Sequence, residues 1–191
     1  MGVQLQHAVK GAASSEVRFL EQSQRHVVWV DVDSEFHRGA LSADASGVIA
    51  NAATTASNQR IPLVLAMASS GADILEGISA LHGWGQAARA IAQCSGVVPI
   101  FTIVNGPAVS GPALLIGLSD FVIMTNDSYA FVSGPTMVAE FTGISMSNEE
   151  LGGTEAHAKQ SGVASLVVAD YQSAVDALEQ LLTFVPNNVD E

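Results

Sequence analysis

Two kinds of segment alternate along this chain, and the alternation restricts its fold more than any other feature. Residues 26–32 (HVVWVDV), 61–67 (IPLVLAM) and 97–104 (VVPIFTIV) are short runs of β-branched and other apolar residues, which predict buried strands. Between them lie two longer segments, 43–58, rich in alanine, and 77–94, with apolar residues at helical spacing; both predict helices. Past Gly111, PALLIGL predicts a short helix with proline in its first turn. Further strands are expected at 121–125, 129–132 and 164–168, a short helix at 154–160, and an amphipathic helix at 171–185. Strands alternating with helices imply an α/β fold with a parallel sheet, and such folds place ligands at the carboxyl ends of their strands.

Charge and composition narrow the function classes. The 191 residues include 7 Lys and Arg against 19 Asp and Glu, a net charge of −12. A non-specific nucleic-acid binder needs a basic stripe to displace counterions, and an anionic membrane surface would repel so acidic a chain. No apolar run approaches the ~20 residues that span a bilayer, and residues 1–16 lack the apolar core of a signal peptide. Met1-Gly2 opens a myristoylation pattern, but Gln6 stands where Ser or Thr is needed. Cys94 is the only cysteine, so neither an internal disulfide nor a cysteine-based metal cluster can form. These features fit a cytoplasmic protein acting on small molecules or proteins. A 48% apolar content with 14% charged residues points to surface covered by other subunits, hence an oligomer.

Two glycine turns follow the second and third central strands: Ser69-Ser70-Gly71-Ala72-Asp73, and Asn105-Gly106-Pro107-Ala108-Val109-Ser110-Gly111-Pro112. Both precede helices, where the first backbone N–H groups lack partners and small side chains let a ligand approach. Two such turns on adjacent strands could aim N–H groups at one oxygen, as an oxyanion hole for a thioester enolate requires. Pro112 has no N–H, so the second donor is Ser110 or Gly111. On spacing alone, ordinary strand-to-helix connections account for both turns as well.

The two turns resemble those of the crotonase superfamily, whose first and second oxyanion turns are similar to Ser70-Gly71-Ala72-Asp73-Ile74 and to the stretch from Asn105 through Gly111 to Ser119-Asp120. That resemblance implies a single-domain crotonase-type ββα spiral (the ClpP-like fold) with the Ser70 and Gly111 amides as donors. Hydratase chemistry does not carry over: its first catalytic glutamate falls at Leu114, and 133–140 offers no match for the second. A closer resemblance runs from about Arg25 to the end, to the N-terminal half of the carboxyltransferase subunit of propionyl-CoA and acetyl-CoA carboxylases. It rests on Arg38-Gly39-Ala40-Leu41-Ser42; on Glu76-Gly77 with Leu81 and Gly85; and on Ala92 to Pro99. It rests further on Val132-Ser133-Gly134-Pro135 through Gly152-Gly153, His157 and Ser161-Gly162-Val163, and on Leu181 to Pro186.

The resemblance implies a carboxyltransferase that moves a carboxyl group from carboxybiotin to the α-carbon of an acyl-CoA through an enolate. The Ser110 and Gly111 amides would hold the enolate oxygen, Ser70 and Gly71 would form the first turn, and the biotin ureido group would take the α-proton. The acyl-CoA thioester is the substrate, and this half needs no metal. Biotin rides on a separate carrier with its biotin carboxylase subunit. A C-terminal half or second crotonase-type subunit completes a site lying between halves of different subunits, in a trimer-based assembly. The expected division is an N-terminal arm over 1–24, the crotonase-like domain over 25–185, and a linker over 186–191.

Candidate acyl-CoA contacts are Ala72, Gly106 and Gly134, with Arg60, Arg89 and Lys159 for its phosphates because cations are scarce. Asp73 is expected to cap the next helix, Glu76 to brace the turn, His82 and His157 to be structural, and Trp84 to pack. Three departures from the family bear on activity. Asp73 stands where the family has arginine, Ser110-Gly111-Pro112 replaces Gly-Gly-Ala, and the family's second half is not in this sequence. Two alternatives therefore remain: a malonyl- or methylmalonyl-thioester decarboxylase subunit, and a non-catalytic crotonase-like scaffold subunit.

Overall fold

The computed structural model describes residues 8–191; Met1-Gly2 lies outside them. Three strands, β1 (Ala8–Lys10), β2 (Ala13–Leu20) and β3 (Arg25–Val32), open the chain as an antiparallel meander. From β3 onward the pairing is parallel, through β4 (Leu63–Ser69), β5 (Ile100–Val109), β6 (Phe121–Thr125) and β8 (Leu166–Val168). β7 (Tyr129–Phe131) pairs with the far end of β5, completing one eight-stranded sheet.

Both faces of the central strands are covered, which is why those strands read as continuous apolar runs. Val28, Val30, Leu63, Leu65, Met67 and Ile100 pack on one face against helices α1 (Ala43–Gln59) and α2 (Ile78–Cys94). Val27, Trp29, Val64, Phe101 and Ile103 pack on the other against Ala174, Leu178 and Leu182 of α7 (Tyr171–Leu182). α1 starts where Ser42 Oγ accepts the Ala45 amide at 3.0 Å, a standard N-cap. Its buried face is almost all alanine, and Gly83 of α2 sits so close that a Cβ there would lie 2.8 Å from Ala43 Cα. Small residues on both helices set this close approach.

The ends of the chain differ from the sequence reading. The expected arm over 1–24 contains β1 and β2, and β2 pairs along its whole length with β3. Its alanines and serines have little strand propensity of their own; pairing with a strongly apolar neighbour decides their state. The expected linker over 186–191 is docked on the body: the Asn188 side chain donates to the Arg60 carbonyl at 3.0 Å and the Val189 amide to the Val97 carbonyl at 3.1 Å. Two helices escaped the sequence reading, α4 (Pro135–Thr142) and α5 (Asn148–Gly152). The helix expected at 154–160 is a short α6 (Thr154–Ala156) continued by a π-type turn over His157–Ser161. Among the described residues no helix is long and apolar enough to cross a membrane.

Cys94 ends α2 in the core, its thiol donating to the Ala53 carbonyl at 3.1 Å. Burial pushes that thiol up from 9.0 to about 11. Between those values the unfolded chain has lost a proton that the folded chain keeps. The stabilisation is therefore full below the lower value and is lost as pH rises through the upper one. Urea midpoints should fall from about pH 9 upward, and Cys94→Ala should flatten part of that fall.

Candidate functional site

At the carboxyl ends of β4 and β5 the chain builds two turns that meet. Ser69, the last residue of β4, is buried; its hydroxyl donates to the Gly39 carbonyl at 2.5 Å and lies 3.3 Å from the Gly71 amide. The segment ahead of α1 zips onto this turn: the Ser70 amide donates to the Arg38 carbonyl, the Leu41 amide to the Gly71 carbonyl, and the Asp73 amide to the Leu41 carbonyl, at 2.8–2.9 Å. Gly71 has φ 118, open to glycine and strained for other residues.

Asp73 Oδ1 accepts the Leu75 amide at 2.9 Å. It therefore orients the turn and does not cap α2, whose N-cap is Gly77 without a side-chain bond. Glu76 reaches back to the start of α1, its carboxylate accepting the Ala43 amide at 2.6 Å. That bracing matches the role expected of it. Glu76→Ala leaves the first amide of α1 without this charge-assisted partner and should lower Tm by about 2–4 °C in a calorimetric scan.

The second turn is tighter than expected. β5 runs on to Val109, so residues 105–109 are strand, held by pairing with β7 and with Ser69. The turn is Ser110, with φ 62 and ψ −120, and α3 (Gly111–Ile116) follows at once. A Cβ on Gly71 would lie 3.4 Å from the Val109 carbonyl oxygen and 3.6 Å from Ser110 Cβ, so the turns are in contact. Beneath Gly111 lies the Trp84 indole: a Cβ there would come 2.6 Å from Nε1. Trp84 therefore packs, as expected, and its shielded indole N–H lacks a partner among the described residues.

This geometry sorts the candidate donors. The Ser110 amide donates to the Phe131 carbonyl at 2.9 Å, and the Ser70 amide to Arg38. Both are already bonded, so the amide role expected of each is corrected. The Gly111 amide, first in α3, has no intrahelical acceptor, and the Gly71 amide has only the long contact to Ser69. The meeting point thus offers the Gly71 and Gly111 amides.

Beside the first turn is an open recess of about 580 Å³ lined by His37, Arg38, Ala40, Ser70, Ala72, Asp73, Ile74 and Leu75. Ala72, one of the expected contacts, is among this lining. His37 and Arg38 were missed, although two basic residues in a row, in a chain with so few, are a readable signal. Both adopt positive φ (46 and 57), which brings the Arg38 carbonyl to the Ser70 amide.

The other expected contacts lie elsewhere. Arg60 follows α1 at the end opposite Ser42, about 25 Å away at 1.5 Å per residue, and pairs with Asp190. Lys159 pairs with Glu155 at 2.8 Å, and Arg89 is about three turns along α2. Gly106 is inside β5, where a Cβ would lie 3.2 Å from Ala68 Cβ; Gly134 caps α4. Neither lines the recess. His157 is structural, donating from Nε2 to the Ala130 carbonyl at 2.7 Å with Ser161 on Nδ1. His82 is exposed, 3.5 Å from the Gln86 amide nitrogen. Leu114, half exposed on α3, puts no acid at the hydratase position. Among the described residues no group of three or more His, Cys, Asp or Glu is arranged to hold a metal.

Residues 23–191 match the model of the carboxyl transferase domain. The methylmalonyl-CoA carboxyltransferase 12S subunit of Propionibacterium freudenreichii subsp. shermanii is 39% identical over 127 residues, 66% of this chain and 24% of the relative. The biotin-dependent acetyl-/propionyl-coenzyme A carboxylase beta6 subunit of Mycobacterium tuberculosis is 38% identical over 144 residues, 75% of this chain and 30% of the relative. The chain thus spans about a quarter to a third of the length of these curated relatives. Among solved structures, the transcarboxylase 12S hexamer with hydrolysed methylmalonyl-coenzyme A bound superposes with a TM-score of 0.91 at 31% identity, over 94% of this chain and 35% of that one. The Pseudomonas malonate decarboxylase MdcD-MdcE hetero-dimer superposes at 0.81 with 19% identity, over 95% and 81%, a likeness of fold alone.

Proposed function

Since the chain belongs to the carboxyl transferase domain family, we propose that it is the acyl-CoA-binding half of a biotin-dependent carboxyltransferase. The observation that carries this reading is the contact between the two glycine turns, where the Gly111 amide has no carbonyl partner and the Gly71 amide only the 3.3 Å contact to Ser69 Oγ, while the Ser70 and Ser110 amides are bonded to Arg38 and Phe131. Two N–H groups at one point suit an oxygen that gains negative charge, as a thioester carbonyl does when its α-carbon loses a proton. Fixed amides at the carboxyl ends of two central strands supply that stabilisation without reorganising.

The recess fits the rest of the substrate. Arg38 gives it a cation for CoA phosphates, His37 stands beside it, and Ala72 adds a small side chain to the lining. Asp73, the carboxylate of the first turn, is committed to the Leu75 amide, and Leu114 cannot take a proton. This chain's part is therefore to bind, orient and stabilise; the carboxyl group is supplied by carboxybiotin on a separate carrier. Ile74, Leu75 and Ile78 beside the first turn are more than 80% exposed, and α4 buries none of its residues while Phe141 is 93% exposed. Apolar surface of this extent flanking the turns suits a C-terminal half or second crotonase-type subunit closing over the substrate.

The test is carboxyl transfer from carboxybiotin to propionyl-CoA, with this chain and a C-terminal half supplied together and separately. Transfer that needs both supports the reading. Biotin-independent release of CO2 from malonyl-CoA would place the chain with the decarboxylases instead, and neither activity in a folded complex would leave the scaffold role.

A further inference from the structure

Ser110 occupies a backbone conformation that the same chain elsewhere gives to glycine. Gly77, entering α2, has φ 54 and ψ −123; Ser110, entering α3, has φ 62 and ψ −120. A Cβ at Gly77 would meet nothing within 4 Å, so glycine there answers the backbone conformation and not a lack of space. The same conformation strains any residue with a Cβ, yet at the second turn the chain carries a serine. Its amide is bonded to the Phe131 carbonyl, so the amide gains nothing from the side chain. The hydroxyl makes no hydrogen bond among the described residues, and Ser110 is exposed. Its Cβ stands at the junction of the turns, beside Gly71 and preceding Gly111. A local structural need would be met better by glycine, and the unbonded hydroxyl belongs to the residue at which the two turns meet.

From this we infer that the Ser110 hydroxyl is a third hydrogen-bond donor to the thioester carbonyl oxygen, beside the Gly71 and Gly111 amides. The inference rests on the acyl-CoA reading above and adds a side-chain contact to it. The hydroxyl donates to the carbonyl in the bound ester and more strongly to the enolate, where the acceptor is charged. The strain is retained because glycine would remove the donor.

The experiment is calorimetric titration of the wild-type chain, Ser110→Ala and Ser110→Gly with propionyl-CoA and with S-propyl-CoA, the thioether that lacks the carbonyl oxygen, alongside thermal melts. Both variants should bind propionyl-CoA roughly 3- to 10-fold more weakly and S-propyl-CoA as the wild type does. Ser110→Gly, freed of strain, should melt about 2–4 °C higher. Variants that bind the thioester as tightly as the wild type, or lose both ligands equally, overturn the inference and leave the acyl-CoA reading intact. Wild-type protein that binds neither ligand sinks that reading and the inference with it.

Discussion

Gly111→Pro removes the unpartnered one of the two amides at the junction, and carboxyl transfer by the proposed assembly should fall about 10²- to 10³-fold, the usual cost of one oxyanion donor. Proline also carries ring atoms, and the space over Gly111 is taken: a Cβ there lies 2.6 Å from Trp84 Nε1 and 2.8 Å from Cδ1. Loss of activity could therefore come from displacing the indole and not from losing the amide. The double variant Gly111→Ala with Trp84→Leu separates the two causes, because it keeps the amide and makes room for the methyl group. It should retain most of the transfer rate, while Gly111→Pro in the same Trp84→Leu background should not. Circular dichroism on each variant checks that the fold survives. Equal losses from Gly111→Ala and Gly111→Pro in the Trp84→Leu background would mean that the shape of the turn matters and its N–H does not.

Gly39→Ala should destabilise the protein by more than about 3 kcal/mol, enough to leave little folded chain at 37 °C. Gly39 has φ +70, and a Cβ there would fall on the Ala68 carbonyl oxygen, with Ser69 Cα 2.9 Å away. These are backbone atoms of the central sheet and cannot swing aside as a side chain can. Three hydrogen bonds depend on this approach: Ser69 Oγ to the Gly39 carbonyl, the Ser70 amide to Arg38, and the Leu41 amide to Gly71. Separating the segments would unzip the first turn from the start of α1. Chemical denaturation with tryptophan fluorescence is a direct readout, because Trp29 is fully buried in the sheet. A variant that unfolds at the wild-type urea concentration would show the turn to be far more pliable than its packing indicates.

The central architecture was legible because its strands are buried on both sides, so that Val27 to Val32, Leu63 to Met67 and Ile100 to Val104 are apolar but for Asp31 and Thr102. α1 was legible because alanines repeat at its buried positions and Ser42 caps it. What was not legible depends on partners distant in sequence. β2 is a strand because β3 lies alongside, and the last residues dock because Asn188 finds the Arg60 carbonyl. α5 did carry a local signal, Ser147 and Glu150 in a reciprocal capping box at 3.1 and 2.8 Å; this is the familiar S-x-x-E pattern and could have been read.

At the site, sequence reading named both turns and the Gly111 amide, but not that the Ser70 and Ser110 amides are bonded to carbonyls. Whether an amide is free depends on the carbonyl opposite it. Nothing in the sequence near Ser110 or Ser70 shows that Phe131 and Arg38 stand across from them. Arg60 and Lys159 were chosen for scarcity of charge, and charge count carries no information about which end of a helix a residue occupies. Arg38, thirty-one residues before Ser69, reaches the turn only through the fold, where its carbonyl accepts the Ser70 amide.

A thioester carbonyl placed between the Gly71 and Gly111 amides reports that placement through its own carbon resonance. Propionyl-CoA labelled with ¹³C at the carbonyl should be titrated with this chain, alone and with a C-terminal half. That placement predicts a downfield shift on binding, as donors polarise the carbonyl, and no such shift with Gly111→Pro. A folded chain that leaves the resonance where it lies in free propionyl-CoA, with the partner half present, would contradict it.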